Sequence, residues 1–172
     1  MVSSCPHYIR CVCFLESPFA QNLVTPQVCF LYHSLDYPYS TIYVGAYKFK
    51  KHYYPKVGDL KATGEELECA QFMDSALEVK FWVRNLERRP SHSFWLQIST
   101  DKFYPDFVCL LKDGRYLVIE YKGENLWSND DSKEKRDIGG LWEARSQGRC
   151  LFVMPNGKDF DAIKARMGSG SL

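Results

Sequence analysis

Two acidic residues and a lysine have a spacing that suits metal-dependent chemistry. Asp106 follows Pro105, and Glu120 lies two residues before Lys122. Side chains alternate between the two faces of a β-strand, so Glu120 and Lys122 point the same way if their segment is extended. Two carboxylates and the carbonyl of Tyr121 offer the hard oxygen ligands that Mg²⁺ prefers. Such a metal activates water and neutralises charge that develops on phosphorus. Lys122 would orient the water or stabilise that charge.

The turn between the two segments decides whether Asp106 joins Glu120. Residues 112–115, with the sequence KDGR, separate two apolar runs and are typical of a β-hairpin. A two-residue loop would place Glu120 on the opposite face of the sheet from Asp106. A three-residue loop at residues 112–114, with Gly114 in the left-handed conformation, opposes Asp106 to Glu120. We predict this loop, or an equivalent bulge, because it makes the carboxylates and the ammonium converge.

The alternative interpretation is an edge hairpin whose acids and lysine are solvated. Leu117-Val118-Ile119 argues against it, because this run has the character of a strand buried on both faces. Charged residues at the end of a buried strand need partners or a function.

Length and composition predict one folded domain with an N-terminal extension. The chain has 172 residues, of which 45% are hydrophobic and 15% aromatic, and its net charge is +1. Affinity for nucleic acid therefore has to come from local basic clusters. The sequence has no apolar run of membrane-spanning length and no signal-peptide pattern. Together with seven irregularly spaced cysteines, this predicts reduced thiols, a cytoplasmic location and no membrane partner.

Residues 1–60 are predicted to form a β-rich extension, with a strand at residues 41–44. Potential zinc ligands near the start of the chain are Cys5, His7, Cys11 and Cys13. Their spacing lacks the two separated ligand pairs of a zinc finger, which favours ordinary reduced cysteines over a metal site. In residues 48–56, lysines alternate with aromatic residues. This pattern suits phosphate binding with base stacking, or a solvated strand face with buried aromatics, and both interpretations stay open.

Two capping patterns predict the helices on either side of the hairpin. Thr63 and Glu66 form a capping box that opens a helix running to about Lys80. Its apolar stripe is Cys69, Ala70, Met73, Leu77 and Phe81. Glu66 lies at the top of this stripe, where it either reaches the metal site or only caps the helix.

A second helix is predicted from residues 129–132 to Gly148, with Asp131 and Glu134 as its capping pair. Ile138, Leu141 and Trp142 should point inward. Gly139-Gly140 predicts either close approach to the sheet or a break in the helix. Lys133 and Lys135, in the first turns, and Arg84 are the candidate DNA contacts, with solvent exposure as the alternative for Lys135. Further strands are predicted at residues 94–98 and 150–154, and a terminal helix at residues 159–167.

The predicted order is helix, strand, two-strand hairpin, helix, strand. Together with Asp106, Glu120 and Lys122, this order resembles the PD-(D/E)XK nuclease superfamily. The resemblance implies an α/β fold with a restriction-endonuclease-like αβββαβ core, in which helices flank a mixed central sheet. We assign this core to residues 61–167, the β-rich extension to residues 1–60, and a flexible tail to residues 168–172.

Residues 43–154 more specifically resemble the C-terminal endonuclease domain of type III restriction enzyme Res subunits. The segments that carry the resemblance are Gly64-Glu65-Glu66, Cys69-Ala70, Trp82-Val83-Arg84-Asn85, Phe94-Trp95-Leu96, Phe103-Tyr104-Pro105-Asp106-Phe107, Asp113-Gly114-Arg115, Glu120-Tyr121-Lys122-Gly123, Asp131-Ser132-Lys133-Glu134-Lys135 and Leu141-Trp142-Glu143. The resemblance implies hydrolysis of DNA phosphodiester bonds with Mg²⁺, or Mn²⁺ in its place. Asp106, Glu120 and the carbonyl of Tyr121 carry over as metal ligands, Lys122 as the catalytic lysine and Glu66 as a further catalytic acid.

This family also implies partners. A Res subunit carries a helicase motor, but the present sequence has no G-x-x-x-x-G-K-[ST] phosphate loop. A helicase or translocase subunit and a methyltransferase specificity subunit are therefore the expected protein partners, in a type III-like restriction or phage-defence system. The alternative function is a DNA-binding or assembly module that keeps the nuclease fold without cutting.

Overall fold

The computed structural model describes residues 9–11, 30–32, 36–123 and 129–168, the first two ranges by their backbone alone. Cys5, His7 and Cys13 fall outside these ranges, as does Cys11 apart from its backbone, so the choice between reduced cysteines and a zinc site lies outside the described residues. The predicted tail also falls outside them, apart from Gly168. Within the described residues, no helix is both long enough and apolar enough to cross a membrane.

The described part of the chain contains three helices and eight strands, five of which lie between the first two helices. In chain order they are β1 (Ile9–Cys11), β2 (Phe30–Tyr32), α1 (Glu65–Ser75), β3 (Val79–Arg84), β4 (Leu96–Gln97), β5 (Lys102–Phe103), β6 (Phe107–Leu111), β7 (Tyr116–Ile119), α2 (Asp130–Arg145), β8 (Cys150–Val153) and α3 (Phe160–Gly168). The central sheet has the order β3-β6-β7-β8. Its first two pairings are antiparallel and the β7–β8 pairing is parallel, so the sheet is mixed, as predicted.

The sheet is buried on both faces. One face packs with Met73 of α1 and Ile163 of α3, and the other packs with Trp142 of α2. Neighbouring residues of β7 go to opposite clusters: Leu117 faces α1 and α3, whereas Val118 faces α2. This arrangement explains why the strand reads as a continuous apolar run in the sequence. The protein is a mixed α/β structure with helices on both sides of a four-stranded sheet.

The hairpin between β6 and β7 has the predicted three-residue loop. Phe107 pairs with Ile119 and Leu110 with Tyr116. Leu111 continues this register, because its N–H donates to the carbonyl of Arg115 at 2.8 Å. Gly114 has a φ of 92°, which is the left-handed region that the loop requires. The predicted loop length and register are therefore confirmed.

The first core helix differs from the prediction at both ends. Gly64, with a φ of 101°, is its N-cap, and no side chain caps the helix there. The predicted Thr63–Glu66 capping box is therefore wrong. The helix ends at Ser75 and not near Lys80, because β3 already begins at Val79. Leu77, predicted to lie on the apolar stripe, is 78% exposed, since it falls in the connection between the two elements.

The second helix has its N-cap two residues before the predicted cap, Asp131. Asn129 is the N-cap, and its side chain accepts a hydrogen bond from Ser132 N at 2.8 Å. Glu134, predicted to close a capping box with Asp131, accepts instead from Ser99 N at 2.8 Å. The helix ends at Arg145, short of the predicted Gly148.

The inward face of α2 is narrower than predicted. Trp142 is buried and Ile138 packs against the core, but Leu141 is exposed, so its prediction was wrong. The close approach at Gly139 is confirmed, because a Cβ there would lie 2.3 Å from the ring of Phe152. The helix is continuous through both glycines.

The segment before α1 packs along β3 without forming the predicted strand. Residues 41–44 contribute only an isolated bridge between Ile42 and Gly58. The buried carboxylate of Asp74 fastens the segment by accepting from the N–H groups of Lys50 and Lys51 and from Trp82 Nε1 at 2.9 Å. The other predicted strand, residues 94–98, is reduced to β4, which pairs with β5.

Candidate active site

The two acids of the sequence pattern meet at the end of the β6–β7 hairpin. The register that pairs Phe107 with Ile119 places Asp106 opposite Glu120 when continued by one residue. Both line an open cavity of about 300 Å³. Residues predicted for the site that line it are Glu66, Asp106, Glu120, Tyr121, Lys122 and Lys135. The structure thus brings acids from three separate segments of the chain to one cavity.

Lys122 lies beside Glu120, as the strand alternation predicts. Its Nζ is 3.4 Å from Glu120 Oε1. The chain stays extended beyond the end of β7, because Glu120 N donates to the carbonyl of Val153 and Lys122 bridges to Asn156. This extension keeps the two side chains on the same side of the sheet.

Arg84 lies between the acids, at the end of β3. Its Nη1 is 2.6 Å from Asp106 Oδ1, and its Nη2 is 3.3 Å from Glu66 Oε2. It also donates to the carbonyls of Asp106 and Asp59. The side chain is 12% exposed, so the predicted DNA contact is held inside the acidic cluster. The sequence offered one signal, a charged residue that ends a buried strand, but it did not identify the partner carboxylates.

Glu66 approaches the cavity from the first turn of α1. It lines the cavity, and its side chain is 40% exposed. Burial raises the pKa of Glu66, the Arg84 guanidinium lowers it, and the Asp106 carboxylate raises it further. Of the two roles left open by the sequence, the structure favours a place at the cavity, because Glu66 does not cap its own helix.

The two lysines of α2 have different surroundings. Lys135 Nζ lies 3.6 Å from Glu120 Oε1, 3.0 Å from Asp131 Oδ2 and 5.2 Å from the centre of the Phe103 ring. Its side chain is 16% exposed, so the solvent-exposed alternative for Lys135 is wrong. Lys133 is exposed on the same helix.

Glu120 is the acid with the most unusual environment. Burial and the facing carboxylate of Asp106 raise its pKa to about 8, against the opposing effect of Lys122 and Lys135. A carboxylate in this setting is poorly compensated by its protein partners. A buried titratable group with a perturbed pKa in a cavity is characteristic of functional sites.

The cavity offers few oxygen ligands from the protein, so Mg²⁺ would have to bind there mainly through water and phosphate oxygens. Asp106 already uses both oxygens, since Oδ1 pairs with Arg84 and Oδ2 accepts from Tyr121 N at 2.8 Å. Among the described residues, no group of three His, Cys, Asp or Glu side chains is arranged to hold a metal ion. Mg²⁺ commonly takes one or two carboxylates and completes its shell with water and phosphate oxygens. In that mode Asp106 and Glu120 would be the carboxylate ligands and the Tyr121 carbonyl a further oxygen ligand, and a cation would compensate the charge of Glu120.

Comparisons with protein-family models, with curated proteins and with solved structures gave no match for this chain. The resemblance to PD-(D/E)XK nucleases stays a prediction from the motif residues of the sequence.

Proposed function

We propose that this protein is a metal-dependent DNA endonuclease that hydrolyses phosphodiester bonds. One observation carries the proposal: Asp106 and Glu120 lie directly beyond the paired ends of β6 and β7, at positions that the strand register opposes, and the ammonium of Lys122 is 3.4 Å from Glu120. The group opens into a polar cavity that also receives Glu66. Paired acids with an adjacent lysine are suited to in-line attack of water on phosphorus.

Each residue has a distinct role in this proposal. Asp106, Glu120 and the Tyr121 carbonyl would hold the cation, which when bound supplies an activated water and neutralises developing charge. Lys122 orients the attacking water or stabilises the charge on the phosphoryl oxygens. Lys135 lines the same cavity, and Lys133, which is exposed on α2, is a further candidate for contact with the DNA backbone.

A second candidate is a DNA-binding or assembly module that does not cut. The ion pair between Arg84 and Asp106 favours it, because a protein cation already satisfies the carboxylate that a metal would need. The two candidates differ in one measurable property, since only the nuclease requires a divalent cation at Asp106 and Glu120.

The biological setting remains part of the proposal. The motif resemblance suggests a cytoplasmic type III-like restriction or phage-defence system. A helicase or translocase subunit would then supply movement along DNA, and a methyltransferase subunit would supply sequence recognition.

Nicking of supercoiled plasmid with Mg²⁺ or Mn²⁺ tests the proposal. We expect Lys122→Ala and Glu120→Gln to lower the rate by about 100-fold or more, the usual cost of losing one group that stabilises the transition state. Lys164→Ala, which removes an exposed lysine from α3, should cut like the native protein. Equal rates for all four proteins would contradict the proposed site.

Titration with Mn²⁺, followed by calorimetry, separates the two candidates if no protein cuts. Binding by the native chain that Glu120→Gln abolishes would indicate a metal site that needs a partner subunit. Absence of binding would favour the non-cleaving module.

A further inference from the structure

A second cavity lies away from the candidate active site, inside a closed loop of the N-terminal segment. Tyr43 N donates to the carbonyl of Val57 at 2.9 Å, and this bond closes the loop formed by residues 42–58. The far side is fastened where Lys50 N and Lys51 N donate to Asp74. Hydrogen bonds therefore hold the loop both where it closes and at its far side, so the fold itself maintains the cavity.

Aromatic rings form much of the wall of this loop cavity. Its volume is about 360 Å³, and its described lining comes entirely from residues 42–57. Tyr43 and Tyr47 pack against Phe49 with ring centres 5.1 Å and 4.9 Å away, and Phe49 contacts Trp82 edge-on at 5.0 Å. Val44, 81% exposed, stands at the lining as well. Aromatic side chains therefore supply much of the lining that a ligand would meet.

The loop is also strongly basic. Residues 42–58 contain four lysines and no aspartate or glutamate. Lys51 is used internally, because its ammonium donates to the carbonyl of Ala76. Lys48 and Lys56 both line the cavity and are exposed. His52 adds no charge at neutral pH, because burial lowers its pKa to about 4. The rim is thus positive while the wall is aromatic.

A polar group in the wall lacks a partner. The hydroxyl of Tyr43 is buried and makes no hydrogen bond with any residue that the structure describes. Such groups are rare in folded proteins, since each carries an uncompensated desolvation cost. A ligand with hydrogen-bonding edges would satisfy it.

We propose that the loop cavity binds single-stranded DNA, with an unpaired base against the aromatic wall and the adjacent phosphates at Lys48 and Lys56. Base stacking on aromatic side chains and a basic rim are the two features that define single-strand sites. A duplex keeps its bases stacked and paired, so it cannot enter without paying the cost of extruding a base. The site goes beyond the proposed nuclease and involves none of its residues.

Binding of a fluorescent oligothymidylate, measured by anisotropy in EDTA, tests the site without any contribution from metal or cleavage. For single strands, each lost phosphate contact lowers the slope of log affinity against log salt by about 0.7. The double variant Lys48→Ala/Lys56→Ala should therefore lose about 1.4 in slope. The matched control Lys112→Ala/Lys164→Ala removes two exposed lysines elsewhere and should keep the native slope. A duplex of the same length should bind more weakly to the native protein.

Photocrosslinking locates the base. An oligonucleotide with 5-iodouracil should crosslink to a peptide within residues 42–57, as read by mass spectrometry. Equal slopes for the two double variants, equal affinity for duplex and single strand, or crosslinks confined to other peptides would each overturn the proposal. Because these assays need no cleavage, failure of the nuclease proposal would leave their results unchanged.

Discussion

At the residue scale, the candidate active site contains equal numbers of acids and cations, but the acids are not equally close to their cations. The acids are Glu66, Asp106 and Glu120, and the cations are Arg84, Lys122 and Lys135. Arg84 pairs closely with Asp106 at 2.6 Å, whereas the ammonium groups near Glu120 stay at 3.4 Å and 3.6 Å. Asp106 is therefore the better compensated of the two facing acids, and Glu120 has most to gain from a further cation.

Glu120 should make the native protein less stable as the pH rises. Its pKa rises from an ordinary 4.5 to about 8 on folding, so between these values the folded state binds more protons than the unfolded state. The free energy of unfolding therefore falls through this window. The side chain of Glu120→Gln stays neutral, so the free energy of unfolding of this variant should not fall in this way. The variant should therefore be more stable than the native protein at pH 9 and similar to it near pH 5. Urea unfolding from pH 5 to pH 9 measures the stability of both proteins. If their free energies of unfolding change with pH in the same way, Glu120 is not the source of the fall.

Arg84→Met should destabilise the protein strongly at neutral pH. The change leaves Asp106 and Glu66 without their guanidinium partner, and breaking a largely buried ion pair costs about 3 kcal/mol or more. Arg84→Lys should recover part of the loss, because one ammonium cannot reach both acids and two carbonyls. Urea unfolding at pH 7 gives the values, with Arg145→Met on the exposed end of α2 as the control. A loss no larger than that control would show that the ion pairs are not stabilising.

At the element scale, α2 packs closely against the sheet because one of its residues on that side is a glycine without a side chain. Gly139 faces Phe152, and Gly140, its neighbour, has nothing within 4 Å of a Cβ position. The two glycines have the same helix propensity and opposite surroundings. They therefore separate the effect of packing from the effect of backbone entropy.

Gly140→Ala should stabilise the protein by about 1 kcal/mol, the gain of alanine over glycine within a helix. Gly139→Ala gains the same propensity but drives its methyl group into the Phe152 ring, where the contact would be 2.3 Å. Overpacking of this kind costs about 1–3 kcal/mol, so the net effect should be destabilising. Thermal unfolding of the two single variants gives the comparison. Stabilisation by both would mean that the helix moves away from the sheet without cost.

The elements that the sequence predicted well were those specified by local chemistry. The three-residue loop followed from Gly114, and the placement of Glu120 beside Lys122 followed from strand alternation. The ion pair of Arg84 was not predicted, because its partner Asp106 lies 22 residues away and is brought close only by the pairing of β3 with β6. The cap of α1 was predicted wrongly because Gly64, with a positive φ, is the N-cap, and the side chain of Thr63 does not cap the helix. A tertiary contact decided the first case, and a local backbone conformation decided the second.

At the scale of the whole molecule, the two faces of the sheet carry separate apolar clusters joined through the strands. Cys69 and Cys109 belong to the cluster on the α1 and α3 side, and Cys150 belongs to the cluster on the α2 side. All three thiols are buried, and burial raises the pKa of Cys69 and of Cys109. A buried thiol does not react with alkylating reagents, so alkylation of each cysteine shows that the cluster around it has opened.

Alkylation of these three cysteines should follow a single transition in urea. If both clusters open together, short iodoacetamide pulses will label Cys69, Cys109 and Cys150 at the same midpoint, because small single domains unfold cooperatively. Mass spectrometry of the peptides resolves each site, and the midpoint from tryptophan fluorescence serves as the reference. Labelling of Cys150 at clearly lower urea would show that the α2 side opens independently.

The length of the Lys112–Gly114 loop has an evolutionary consequence. Exposed turns ordinarily tolerate gain or loss of a residue, because they contribute little to the core. In this hairpin, one residue fewer would shift the pairing by one position and turn Glu120 and Lys122 away from Asp106. An indel at the solvent-exposed tip would therefore disable the candidate site at the other end of the strands, where no residue had changed. Selection for the site would appear in related sequences as a turn of constant length, even where the turn residues themselves vary.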